Sequence, residues 1–121
     1  MNFDVPSEWV EFGDALIRFV DREVAALERE HRALLASERT IYDDSGRYTA
    51  KMLALRRQVR MRSAELGFYT SLSSESLGGG GLGPQATVYI QERLNAHCGP
   101  ERHLVHSVVL PSPFINGLSP V

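Results

Sequence analysis

From Ser7 to Leu35 the apolar residues Trp9, Phe12, Leu16, Phe19, Val20, Val24, Leu27, Leu34 and Leu35 recur at intervals of three and four. That spacing draws one stripe along a helix, and a helix with such a stripe must bury it against another element. Ser7 is placed to cap the helix, because its hydroxyl can accept a bond from an otherwise unpaired first-turn N–H. Glu8 and Glu11 sit where the helix dipole favours negative charge. On the polar side, Asp14–Arg18 and Glu28–Arg32 have the spacing of i,i+4 ion pairs. A long amphipathic helix is the first structural expectation.

The remainder reads as further helices. Asp43-Asp44-Ser45-Gly46 is a turn signal within Ser37–Tyr48. A helix is predicted from about Thr49, as cap, to Leu66, with Met52, Leu55, Val59 and Leu66 on one face. Ser63 leaves room there for a close neighbour, and Gly67 stands where the left-handed residue after a helix belongs. The outer face carries Lys51, Arg56, Arg57, Arg60 and Arg62 against Glu65. A solvated face is the plain reading, and a surface for an anionic partner is the alternative. Pro84 suits a first helical position, and a helix to about His97 would bury Val88 or Tyr89, Ile90 and Leu94. Gly99-Pro100 breaks it. A last helix is predicted over Glu101–Leu110, with a strand as its competitor because Leu104–Leu110 is rich in β-branched residues. The expectation is an all-α fold, a small helical domain of about four main helices spanning residues 1–121.

Composition narrows the partners. Thirteen basic and fifteen acidic residues in 121 leave a formal net charge of −2, so no global field draws the chain to nucleic acid or lipid. One cysteine excludes an internal disulfide framework and a multi-cysteine zinc site. No apolar stretch approaches the roughly 18 residues of a membrane span, and the amino terminus lacks the features of a signal peptide. The expectation is a soluble protein of a reducing compartment such as the cytoplasm. No Lys, Arg, Asp or Glu follows Arg102, and Ser119-Pro120 has the form of a helix start. Both features suggest a segment made to be covered, within a longer protein.

Three motifs invite chemistry. Gly78-Gly79-Gly80-Gly81-Leu82-Gly83 satisfies G-x-G-x-x-G ahead of a helix, as a phosphate-cradling loop would, yet the acidic residue for a ribose hydroxyl is missing. A hinge or close-packed turn explains the run as well. His97, Cys98, His103 and His106 crowd together, but His97 and Cys98 leave a helix end in different directions, so hydrogen-bonded histidines compete with a metal site. Cys98 beside His103 lacks an orienting third group for nucleophilic work. No pair of carboxylates falls in a segment expected to be buried, so a general base is not supplied by this chain alone.

Ser63-Ala64-Glu65-Leu66-Gly67-Phe68, followed by Ser74-Glu75-Ser76-Leu77-Gly78-Gly79-Gly80-Gly81-Leu82, resembles the amino-terminal domain of acyl-CoA dehydrogenases. Gln91-Glu92-Arg93-Leu94 is similar to the Glu-Glu-Leu element of the family's next helix. Cys98–Gly117 is similar to its small-residue break and apolar helix. Ser74 stands where the family prefers proline, Leu77 where an aromatic or polar residue is usual, and the link from Leu35 to Tyr48 is longer. The resemblance implies a helical domain completed elsewhere by a middle β domain and a carboxy-terminal bundle. Those parts hold FAD and the proton-abstracting carboxylate used to desaturate an acyl-CoA thioester. The present chain would then be inactive alone, bind no cofactor or metal itself, and self-associate near Leu104–Val121. It would contribute a wall of the acyl pocket through Glu101, Arg102, Val105, His106 and Val109, where Glu101, Arg102 and His106 imply either a polar or bulky acyl group or a face turned outward. Two other readings remain: a helical interaction module using the basic face, and a nucleotide-binding fragment built on the glycine run.

Overall fold

The computed structural model describes residues 5–71 and 83–111. The described residues are helical and contain no β-strand. The glycine run and Ser119-Pro120 lie outside them.

The amphipathic rod forms, but in pieces. Helix α1 (Ser7–Phe19) passes into a π turn (Val20–Val24) and continues as α2 (Ala25–Glu30). His31 interrupts the rod with φ −111° and ψ 33°, before the short α3 (Arg32–Leu35). Ser7 is the first helical residue, not the cap. Pro6 stands at the cap, and its carbonyl accepts from the Trp9 N–H at 3.0 Å. The π turn sets Phe19, Val20 and Val24 all inward, at 5%, 0% and 1% exposure.

Ser37 caps α4 (Glu38–Ile41), its hydroxyl accepting from the Arg39 N–H. The signalled turn follows: Asp43 Oδ1 accepts from the Ser45 and Arg47 N–H groups at 2.9 and 3.1 Å, and Gly46 takes φ +83°. The turn closes on one antiparallel bridge between Tyr42 and Tyr48. Helix α5 (Ala50–Glu65) is capped by Thr49, whose hydroxyl accepts from the Met52 N–H. It ends at Gly67, φ +89°, where the chain turns into α6 (Phe68–Ser71). Helix α7 (Pro84–His97) opens with Pro84 in its first turn.

Helix α1 runs beside α7. Trp9 meets Tyr89 with ring centres 6.0 Å apart, while Phe68 of α6 meets Phe12 edge-on at 5.5 Å. Gly13 lets Arg93 cross α1, since a Cβ there would lie 2.6 Å from the guanidinium. Arg93 thereby reaches Asp14 at 2.9 Å. Of the two alternatives on α7, Tyr89 packs against the core and Val88 is exposed.

Three further expectations are corrected. Glu101–Leu110 is neither helix nor strand but a chain of turns, with i→i+3 and i→i+4 bonds such as Val105 N–H to Arg102 O and Val109 N–H to Val105 O. Its β-branched run disfavours a helix, and Ser107 at φ 62° breaks one. The expected local ion pairs also give way to tertiary ones: Asp14 pairs with Arg93, not Arg18, and Glu28 with Arg102, not Arg32. Leu66, placed by spacing on the buried face of α5, is 43% exposed because α5 ends beside it, and Phe68 enters the core instead.

Candidate functional site

The turns after α7 carry fully buried residues on irregular backbone. Leu104, Val105, Val108 and Val109 are fully covered, and Leu110 is 1% exposed. Irregular backbone satisfies only some of its own carbonyls, here Gly99, Arg102 and Val105, so the other buried ones need donors from elsewhere. Side chains supply them. Arg56 of α5 donates to the His103 carbonyl at 2.5 Å, and Gln91 of α7 to the Pro111 carbonyl at 3.3 Å. The buried Ser63 hydroxyl donates to the Val109 carbonyl. The close neighbour for which Ser63 leaves room is this carbonyl. Among the described residues no buried side-chain nitrogen or oxygen lacks a partner.

The five residues assigned to the pocket wall divide within this segment. Val105 and Val109 belong to the core itself. Arg102 forms a two-point ion pair with Glu28 on α2, Nη2 to Oε1 at 2.5 Å and Nε to Oε2 at 3.2 Å. The Glu28 carboxylate holds the Arg102 guanidinium above its ordinary pKa. The third arm of Arg102 donates to Cys98 Sγ at 3.3 Å. Burial pushes the Cys98 thiol up, only partly offset by the Arg102 charge. The His106 ring nitrogen Nε2 donates to the Gly99 carbonyl at 2.8 Å. The exposed Glu101 carboxylate folds over Gly99, filling the space a Cβ there would need. Glu101, Arg102 and His106 are thus the members with accessible atoms, while Val105 and Val109 support them from inside.

The histidines and the cysteine that crowd in sequence separate in space. His97 reaches Asp21 at 2.8 Å, His103 Nδ1 meets the Tyr48 hydroxyl at 3.1 Å, and His106 and Cys98 are engaged as above. Among the described residues no three His, Cys, Asp or Glu side chains converge as a metal site would require.

A second polar group was not legible from spacing. Tyr42 and Tyr48 stack with ring centres 5.2 Å apart and 16° between planes, and His103 meets both edge-on at 5.9 Å. The Arg56 guanidinium lies 4.5 Å above the Tyr48 ring. Desolvation, ahead of the neighbouring Tyr48, pushes the Tyr42 phenol up. The only sequence signal was the pair of tyrosines flanking a tight turn.

The basic face of α5 therefore splits. Arg56 is half-buried in this cluster, and Arg62 is held by Glu23 at 2.8 Å and Glu65 at 3.2 Å. Lys51, Arg57 and Arg60 have no ion pair among the described residues. Between α5 and the π turn with α2 lies a groove of about 740 Å³. Its sequence signal was the apolar content of α5 off the buried face, Ala54 and Met61, the latter 50% exposed.

No helix among the described residues is long and apolar enough to cross a membrane. No protein-family model, curated protein or solved structure matches this chain.

Proposed function

We propose that this chain is the amino-terminal helical domain of an FAD-dependent acyl-CoA dehydrogenase, inactive alone and serving as wall and packing surface for the acyl pocket. The observation that carries the reading is the run Ser63–Phe68, with its continuation Ser74–Leu82 and Gln91–Leu94, which resembles that family's amino-terminal pattern. The local geometry is compatible: Glu65 ends α5, Gly67 turns the chain with positive φ, and Pro84 opens the next helix.

In this reading the flavin is held by the family's β domain and carboxy-terminal bundle, and the side-chain clusters among the described residues serve the packing of the helical domain. The polar atoms of Arg102 and His106 are committed to Glu28, Cys98 and Gly99, and Arg56 to Tyr48 and His103. No step of the dehydrogenation is therefore assigned to this chain. Its part is positional. Glu101, Arg102 and His106 would border the acyl group, with Val105 and Val109 fixing their backbone from the core side. Arg102 does not meet a substrate as an uncompensated charge, because Glu28 neutralises it. The exposed apolar residues Leu53, Leu66 and Val88 would be covered by neighbouring domains or a second copy.

The test compares two proteins. The 121-residue chain should be colourless and fail to pass electrons from acyl-CoA to an artificial acceptor. A protein translated from the coding region extended past the Val121 codon should be yellow and do both. A yellow, active short chain overturns the proposal, and so does an extended protein that binds no flavin.

A further inference from the structure

Helix α5 is apolar on two sides. Met52, Leu55 and Val59 enter the core, but Ala54 and Met61 point into the groove, where Ala26 and Leu27 face them from α2. The π turn forms part of the same wall, and such turns are frequent at functional sites in helices. At about 740 Å³ the groove falls within the roughly 300–1,000 Å³ of small-molecule sites.

The rim decides what could lie there. Its acidic residues, Glu23 and Glu65, are both taken by Arg62. Arg22 and Arg57 also line the groove and have no ion pair among the described residues. The uncompensated charge at the mouth is therefore positive, above an apolar floor. We propose that this groove binds a single-chain carboxylate amphiphile, a free fatty acid, with its hydrocarbon tail along Ala26, Leu27, Ala54 and Met61 and its carboxylate at Arg22 and Arg57. The site is distinct from the turns after α7 and does not rest on the acyl-CoA dehydrogenase reading.

The test is calorimetric titration of the 121-residue chain with octanoate, decanoate and dodecanoate below their micelle concentrations. Affinity should rise by up to about fourfold for each methylene buried and level off when the groove is full. Replacing either Arg22 or Arg57 by Gln should weaken dodecanoate by about three- to fivefold, the scale of an exposed ion pair. The double variant should bind dodecanoate no better than uncharged dodecanol, whose own binding stays unchanged. Ala54→Trp, or Ala26→Trp should the first perturb folding by circular dichroism, fills the groove and should abolish binding of both. Absence of dodecanoate binding overturns the proposal. Equal affinity for dodecanol and dodecanoate in the unaltered chain, or binding indifferent to both tryptophans, does so as well. Self-association lost in the tryptophan variants, with no dodecanoate binding in the parent, would make the groove an interface between copies and equally defeat it.

Discussion

The rod of α1, the π turn and α2 contrasts with the turns over Cys98–Pro111. The rod satisfies its backbone internally and meets the core through a stripe, leaving residues such as Arg18, Arg22 and Arg29 outside. The turns have no such ladder, yet Leu104, Val105, Val108, Val109 and Leu110 are as deeply buried as Leu16, Val20 and Val24 on the rod, all at 1% exposure or less. They are held from outside, by Arg56, Ser63 and Gln91 on their carbonyls and by Glu28 on Arg102. Depth of burial and regularity of backbone are separate properties here. Side chains from the helices let an irregular segment stay dry.

The largest effects should come from truncating one core leucine in each region. Leu16 on α1 is 1% exposed and Leu104 in the turns is 0% exposed. The cost of Leu→Ala depends on how far the surroundings settle into the void, spanning about 2–5 kcal/mol. A helix with its own hydrogen bonds settles little, so Leu16→Ala should cost about 4–5 kcal/mol by urea denaturation. The turns can move inward, so Leu104→Ala should cost about 2–3 kcal/mol. Equal costs would mean that the side-chain latches make the turns as stiff as the helix.

The latches can be tested singly. Arg56→Met removes a charged donor from the His103 carbonyl and a guanidinium from the face of Tyr48. It should cost about 1.5–3 kcal/mol. Arg60→Met, one turn away on the same face, should stay within about 0.5 kcal/mol. If the two variants are equally stable, the basic face is not divided as described. A partner that recognises the basic face should then depend on Arg57 and Arg60, which Arg56→Met leaves in place.

The same comparison shows what was legible in the sequence. The rod, α5 and α7 follow from three- and four-residue spacing, because each has a polar side to contrast with its buried one. Thr49, Gly67 and Pro84 mark ends whose chemistry is local. In the turns after α7 the polar Glu101, Arg102, His103, His106 and Ser107 alternate with Leu and Val at no fixed helical or strand interval, so spacing fitted helix and strand alike. The candidate site was partly legible. Sequence brought Glu101, Arg102 and His106 forward, but their partners Glu28 and Gly99, and the cluster of Arg56 with Tyr48 and His103, depend on contacts between residues distant in the chain. The π turn had no sequence signal, since Asp21, Arg22 and Glu23 are ordinary helix-surface residues.

Ser63 and Thr49, both on or beside α5, separate a tertiary latch from a local cap. Ser63→Ala leaves the buried Val109 carbonyl without its donor and should cost about 1–3 kcal/mol. Thr49→Ala removes the bond from the Met52 N–H and a long one, 3.5 Å, to the exposed Thr40 carbonyl, and should cost about 1 kcal/mol. Hydrogen exchange distinguishes them further. The first should speed exchange at Val108 and Val109, and the second only in the first turn of α5. Exchange confined to α5 in both variants would show that Ser63 does not hold the turns.

The smallest effect should have the opposite sign. Ser107 is exposed and sits at φ 62°, the one described non-glycine residue with positive φ. A side chain in that conformation costs roughly 1–2 kcal/mol. Glycine removes the strain but gives the unfolded chain more freedom, which returns about 0.4–1 kcal/mol. Ser107→Gly should therefore stabilise the protein by about 0.5–1 kcal/mol, and Ser107→Val, whose branched Cβ fits this conformation badly, should destabilise it. Because Ser107 separates the turns around Arg102–His106 from Val108–Leu110, the gain should appear as slower exchange across the segment and leave α1 unaffected. A glycine variant less stable than the parent would mean that the backbone at Ser107 is not left-handed in solution, and that the segment reaches its burial by a more regular path.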